Sequence, residues 1–355
     1  MNIVHFAPFA PNGCGLYEAA RDMIVADRIA GHDTLLVDVG ITVNGQHIPG
    51  EAGKKDERGR AVVETHPSDI ALDADLIIAH TGIPDPWIAG CQAPIVWMLH
   101  GRPQACFCPE QFGNGNSYSL MAMLAKWPRV KQMVTFWPYH RAFWLPIIPE
   151  SKLAVLDAPP VDPQRFPSTG EKHDFAGMGG AVNVVLADSW REDVDLYEIT
   201  SGLIEFAKGN VGVKFHFFGM ENPLRCWEFL LNELKMYGAL GQVCARWPGM
   251  EGVFRGADLV VSPHRITTRV IAEALSCGTP VLAARGCEFA TWACDPADPA
   301  DVALALAGAI SELNVDATKE RVTSAASKFS LTKYNEAMSL VYKNALNNGG
   351  KHERI

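Results

Sequence analysis

The sequence predicts an α/β protein made of two doubly wound, Rossmann-like domains, and three observations predict it. Short apolar runs alternate with stretches of helical period along the chain. The runs are rich in Val, Ile, Leu and Phe and apolar on both faces, the pattern of parallel strands covered by helices on each side. The alternation halts in a proline- and glycine-rich stretch near residues 160–182 and then restarts. At roughly 100–200 residues per domain, 355 residues suit two such domains.

The first half predicts strands at Asn2–Phe6, Thr34–Val39, Leu76–His80, Ile95–His100, Gln132–Phe136 and Leu153–Leu156. The second predicts Asn183–Ala187, Lys214–Phe218, Gln242–Arg246, Leu259–Ser262 and Pro280–Ala283. Helices fall between them. Leu16–Ile29 stops at Gly31, a C-cap glycine, and Leu196–Lys208 stops at Gly209. Pro223–Tyr237 opens on proline and closes at Gly238. Asp298 is an N-cap, with Pro299 at the first helical position and Asp301 in the first turn. The first domain is placed at 1–165 and the second at 166–330.

Composition narrows the function. A net charge of −9 argues against bulk nucleic-acid or membrane binding. No apolar window is long enough to span a bilayer, and the start MNIVHFAPFAPNG lacks the pattern of a secretory signal. Nine scattered cysteines without a CxxC pair read as reduced thiols of a cytoplasmic protein. Cys106 and Cys108 form a CxC, but no second ligand pair follows at zinc spacing. Asp295, Asp298 and Asp301 look like a DxD-type metal cluster. Helix capping accounts for two of them, and Asp295 lies in the loop before, so no metal site is expected.

Three motifs sit where α/β proteins bind ligands. The loop Pro11-Asn12-Gly13-Cys14-Gly15 joins the first strand to the first helix, where glycines admit a ligand and the helix N-terminus favours an anion. His100-Gly101 ends an apolar strand, at the carboxyl edge of the expected sheet. The segment from Gly256 to Ala284 reads GADLVVSPHRITTRVIAEALSCGTPVLAA. Its hydroxyl-bearing loop leads into a helix, an arrangement suited to phosphate. Glu273, one turn inside, can hold a ribose diol, although a glutamate there is more often simply solvated. A Rossmann oxidoreductase is disfavoured, because no GxGxxG with a suitably spaced acid follows the first strand.

Taken together, these segments carry a resemblance. NGCGLYEAARDMIVADRIAGH, His100-Gly101, KLAVLDAPPVDPQRFPS, the Gly256–Ala284 segment and KFSLTKYNEAMSLVYKNAL resemble, in order, the hallmarks of retaining GT-B glycosyltransferases of family 4. The resemblance implies two Rossmann-like domains facing across a cleft. It also implies that residues 331–355 form a closing helix, crossing back to the N-terminal domain, and a polar tail. It implies transfer of a sugar from a nucleotide-diphosphate sugar, with retention of configuration, without metal and with no cofactor beyond that co-substrate. Gly13 and Gly15 match the loop that closes over the donor. Thr267 and Thr268 match the loop whose amides meet the diphosphate, and Glu273 matches the ribose-binding glutamate. His100 matches the histidine beside the transferred sugar.

The departures are specific. The family's first glutamate falls on Arg265, and its usual Gly-Phe-Gly is Ile266-Thr267-Thr268. Its basic pair falls in Ala187–Asp193, where Arg191 is the obvious cation. Arg191 and Arg265 are therefore the candidates for stabilising the leaving diphosphate. Arg265 also leaves open a non-catalytic homologue that binds a sugar nucleotide or glycan, and an epimerase of the same fold. On the acceptor side, residues 100–145 hold Arg102, Lys126, Arg129, Lys131 and Arg141 against Glu110 alone, interleaved with Trp127, Trp137, Tyr139, Phe143 and Trp144. That suits an anionic acceptor: a phosphorylated or polymeric sugar, or a modified nucleic-acid base. A solvated helix face over an aromatic core produces the same pattern.

Overall fold

The computed structural model describes residues 1–7, 15–38, 41–43, 46–48, 74–80, 92–100, 118–175, 180–187, 196–219, 225–245, 247–265 and 267–347. The chain divides into two compact units. Unit 1 is Met1–Asp162 with Ser330–Ile355, and unit 2 is Pro163–Phe329.

The sheet of unit 1 contains β1 (Asn2–Ala7), β2 (Asp33–Asp38), β5 (Leu76–Ala79), β6 (Ile95–Leu99), β7 (Val130–Phe136) and β8 (Leu153–Leu156). A short antiparallel hairpin, β3 (Ile41–Val43) and β4 (Gln46–Ile48), had no strand prediction. The strands run parallel in the order β2-β1-β5-β6-β7-β8. That order reverses between β1 and β5, the switch point at which open α/β sheets bind ligands. One face, led by Val4, Phe6, Ile77, Ala79, Trp97 and Leu99, packs on α2 (Tyr118–Lys126) and on Trp144 of α3 (His140–Trp144). Helix α1 (Gly15–Ile29) runs on from β1, and α10 (Leu331–Asn347) packs against α1 and against β6, β7 and β8. The last helix thus returns to the first unit, as the sequence resemblance implies.

Unit 2 holds β9 (Val182–Ala187), β10 (Val213–Phe218), β11 (Leu240–Cys244), β12 (Leu259–Val261), β13 (Val281–Ala284) and β14 (Trp292–Cys294). They too are parallel, in the order β11-β10-β9-β12-β13-β14, the dinucleotide-fold order with its switch point between β9 and β12. Its core joins these strands to α4 (Leu196–Gly209), α5 (Arg225–Met236) and α8 (Pro299–Glu312). Gly202 lets α4 and α8 meet, since a Cβ there would lie 2.6 Å from that of Val302. Three further helices, α6 (Met250–Gly256), α7 (Arg269–Ser276) and α9 (Asp316–Ser327), complete the unit.

Several boundaries differ from expectation. Strand β6 stops at Leu99, so His100 lies just past it. Strand β11 begins at Leu240 and ends at Cys244, two residues earlier than the apolar pattern suggests, because pairing starts directly after the Gly238 turn. Asp298 caps α8 as expected: its Oδ1 accepts from the amides of Ala300 and Asp301 at 3.0 and 3.4 Å. Asp301 in turn accepts the Asp295 amide at 2.6 Å and pairs with Arg285, so these carboxylates knit a loop to a helix. Cys106, Cys108 and the polar tail after Asn347 lie outside the described residues.

Candidate functional site

In unit 2 the candidate residues gather past the end of β12, at the switch point. Strand β12 is fully buried, and Ser262 and His264 beyond it are also buried, the His264 amide reaching the Ser262 hydroxyl at 3.4 Å. Arg265 stands exposed. Thr267 turns its hydroxyl inward to the Cys287 thiol at 2.9 Å, so only its backbone can serve a ligand. Thr268 occupies the N-cap of α7 with extended φ and ψ of −119° and 167°, yet its hydroxyl makes no capping bond. The first N–H groups of a helix have no partner within it, which is why this end suits an anion. At its other end α7 stops in a Schellman turn: Gly278 takes φ +85°, and the Gly278 and Thr279 amides bond back to Leu275 and Ala274.

Glu273 is not a solvated helix residue. It is 9% exposed, and Arg269, one turn earlier, donates from Nε to its Oε1 at 2.6 Å. The pair offsets the cost of burying both charges. A carboxylate already carrying a guanidinium was not legible from the motif, although the i,i+4 spacing of Arg269 and Glu273 was its signal.

In unit 1 the candidate is His100, half-buried past β6, with its ring 6.0 Å from that of Phe136. His100 is the end of a chain of buried polar groups. His100 Nε2 meets His80 Nδ1 at 2.9 Å, and His80 Nε2 meets His5 Nδ1 at 3.0 Å. His5 Nε2 meets Asp27 Oδ2 at 3.0 Å, and the Tyr342 hydroxyl donates to both Asp27 oxygens at 2.9 Å. His5, Asp27, His80 and Tyr342 are each at most 3% exposed. The chain steps across β1, β5 and β6 and draws on α1 and α10. Burial holds His80 well below the ordinary histidine range, helped by His100 and His5. None of the four was a sequence candidate. The available signal was a histidine inside the strand Asn2–Ala7, where every neighbour is apolar and a ring needs buried partners.

The structure splits the basic, aromatic stretch. Lys126 ends α2, Arg129 precedes β7 and Lys131 is its second residue, all at the amino edge of a parallel sheet whose carboxyl edge carries His100. Arg129 donates to the Ala93 carbonyl at 3.1 Å and lies over the Trp127 ring, and Arg141 pairs with Glu150. Trp144 is core, with Trp127 and Phe143 packed against it. Trp137 and Tyr139 lie instead at the carboxyl edge of β7, where Trp137 adopts φ +70°, rare for a non-glycine residue. Gly13, Gly101, Arg102 and Arg191 lie outside the described residues, and of Gly15 only its place at the start of α1 is described.

No family model matches the sequence, and no curated protein matches it. Solved structures do match end to end. A glycosyltransferase from Rickettsia africae ESF-5 superposes with a TM-score of 0.67 at 14% identity, over 98% of this chain and 99% of that one. Anabaena Alr3699/HepE in complex with UDP-glucose gives 0.67 at 14% identity over 97% and 99%. Sucrose-phosphate synthase from Thermosynechococcus elongatus gives 0.65 at 13% over 98% and 99%. Among the described residues no helix is long and apolar enough to cross a membrane. Two parallel six-stranded sheets, matched over nearly the whole length, make this the two-domain GT-B, Rossmann-like α/β fold.

Proposed function

We propose that the chain is a glycosyltransferase that takes its sugar from a nucleoside-diphosphate donor bound mainly to unit 2, with retention of configuration and without a metal. The observation that carries the reading is buried Glu273 one turn inside α7, at the switch point of a dinucleotide-type sheet. The fold neighbours support it: Anabaena Alr3699/HepE was solved with UDP and with UDP-glucose. In this reading Glu273 holds the ribose, with Arg269 donating to its carboxylate and aiming it. The amides at Thr267 and Thr268 and the cations Arg191 and Arg265 meet the diphosphate. Gly13 and Gly15 serve the donor, and His100 serves the transferred sugar.

The bond from the anomeric carbon to the diphosphate oxygen breaks, and the acceptor oxygen bonds to that carbon on the same face. The acceptor proton leaves with a phosphate oxygen. Charge develops mainly on the departing diphosphate, so fixed N–H dipoles and guanidinium groups supply the stabilisation that a metal supplies elsewhere. The test is a nucleotide-sugar panel with pooled acceptors in the presence of EDTA, read by NMR of the anomeric proton. Transfer with the donor's configuration is the expected result. Inversion, or loss of transfer restored by manganese or magnesium, overturns the corresponding part of the proposal.

A second reading is favoured by two residues. Arg265 replaces a family glutamate, and Arg269 already engages Glu273. Both suit a protein that binds a sugar nucleotide without turning it over. Tight binding by calorimetry with neither hydrolysis nor transfer selects that reading.

A further inference from the structure

The polar chain behind His100 is built more completely than a structural histidine needs. Five groups from five separate stretches of sequence meet end to end inside unit 1, each at 2.9–3.0 Å from the next. A carboxylate has only lone pairs to offer, and that of Asp27 receives the Tyr342 hydroxyl. It therefore requires a proton on His5 Nε2. With a single proton on each ring, His5 then presents a bare Nδ1, which requires the proton of His80 on Nε2. That leaves His80 Nδ1 bare, which requires the proton of His100 on Nε2. Each ring fixes the next, because an N···N contact of about 3 Å holds only one hydrogen.

We propose that Asp27, its carboxylate held by the Tyr342 hydroxyl, acts through His5 and His80 as a positioning residue that sets which nitrogen of His100 carries its proton. This rests on the reading of His100 as the group beside the transferred sugar, since the second ring nitrogen, Nδ1, is thereby kept an acceptor. Burial keeps His80 neutral, so the message passes as a tautomer and not as a charge. Tyr342 lies on α10, which follows unit 2 in the chain, so the carboxylate at the start of the relay is held by a residue more than 240 positions from His100.

The test exploits a reversal. In Asp27→Asn the Tyr342 hydroxyl claims the amide oxygen, and the amide NH₂ faces His5 Nε2. Every ring must then flip, and the proton of His100 moves to Nδ1. Ring nitrogens of ¹⁵N-histidine-labelled full-length protein are read by long-range proton–nitrogen correlation at pH 7.5. We expect Nε2–H on all three histidines in the wild type and Nδ1–H on all three in Asp27→Asn. Tyr342→Phe keeps the carboxylate and retains the wild-type pattern. A folded Asp27→Asn whose His100 keeps Nε2–H overturns the proposal, and so does Nδ1–H at His100 in the wild type.

If Asp27→Asn does not fold, the wild type alone still decides. Scalar coupling across the hydrogen bond between His80 Nδ1 and His100 Nε2 is expected, and its absence overturns the relay. Sugar transfer is measured on the same samples, where kcat falling about tenfold in Asp27→Asn with donor KM unchanged matches one misdirected hydrogen bond. Reversed tautomers with unchanged kcat leave the relay standing and remove His100 from the proposed site. The two ideas therefore fail separately.

Discussion

The two units solve one architectural problem with opposite materials. Each is a six-stranded parallel sheet that reverses order once, and each places its candidate groups past the carboxyl ends of strands, in unit 2 at that reversal and in unit 1 past β6, one strand from it. Unit 2 does so locally. Arg265, Thr267, Thr268, Arg269 and Glu273 lie within nine consecutive residues. Unit 1 does so over the whole chain, feeding His100 from His5, Asp27, His80 and Tyr342 through a core that is polar along that line. A local site is held by a helix and its caps. A distributed one holds the fold and the chemistry together, so that disturbing either disturbs both.

The sharpest way to break this comparison is to remove one group from each unit. Asp27→Ala removes a buried acceptor from both the Tyr342 hydroxyl and the His5 ring, each loss costing about 1–3 kcal/mol, so a total of about 2–6 kcal/mol is expected. Equilibrium urea unfolding measures it. A loss under about 1 kcal/mol would show that water or rearrangement satisfies these groups and that unit 1 is no more interdependent than unit 2.

Acid should separate the units next. Burial holds His80 well below the ordinary histidine value and lowers His140 to about 4, both in unit 1. In unit 2 His216 falls to about 4, mainly by burial and also through His173 and Lys214. With folded values below an unfolded value near 6.5, the unfolded chain binds more protons between them. Stability therefore falls as pH drops from about 6.5 towards 4 and is unaffected by these groups above about 7. At pH 5 His140 and His216 each cost on the order of 1–2 kcal/mol after solvent screening, and buried His80 adds to the loss in unit 1. Amide hydrogen exchange at pH 7 and pH 5, resolved by segment, should show unit 1 losing more protection. Equal loss in both units would remove the asymmetry.

A smaller effect is expected at the local site. Glu273→Ala should weaken the best nucleotide-sugar donor by about 1–3 kcal/mol, through the loss of a charged hydrogen-bond acceptor. It should also leave Arg269 buried without its carboxylate, lowering stability by a similar amount. Calorimetry and thermal unfolding measure the two separately. Unchanged affinity with lowered stability would make Glu273 a partner for Arg269 and nothing more.

The same contrast explains what the sequence could reveal. Strand periodicity placed the strands of both six-stranded sheets to within a few residues, except β14, because a parallel strand covered on both faces is apolar throughout; it missed the separate β3–β4 hairpin. The three-residue β14 is too short to carry a period. The Asp298 cap was legible because N-capping is a property of four adjacent residues. The loop before α7 was legible for the same reason. The histidine chain was not, since Asp27 and Tyr342 are 315 positions apart and meet only when α10 packs on α1. Nor did spacing reveal that Glu273 is buried, because an eight-residue helix can present either face to the sheet until its neighbours are known.

The smallest expected effect concerns the basic residues of unit 1. Read as a stretch of sequence, Lys126, Arg129 and Lys131 beside tryptophans suggest a surface for an anionic acceptor. In three dimensions they stand at the amino edge of the sheet, a β7 strand of seven residues away from the edge that carries His100. At about 3.3 Å per residue that is on the order of 20 Å, beyond a Debye length of about 8 Å at physiological salt. Arg129 is also committed to the Ala93 carbonyl and the Trp127 ring, as expected of a side chain that closes a sheet edge. Replacing all three with alanine should therefore leave the acceptor Michaelis constant within about twofold, and its salt dependence should be unaltered between about 50 and 200 mM. Multi-phosphate contacts would cost orders of magnitude over that range. A steep salt response abolished by the triple variant would move acceptor binding to the amino edge. It would also break the pattern, shared by both units, that the candidate groups lie where the strands end.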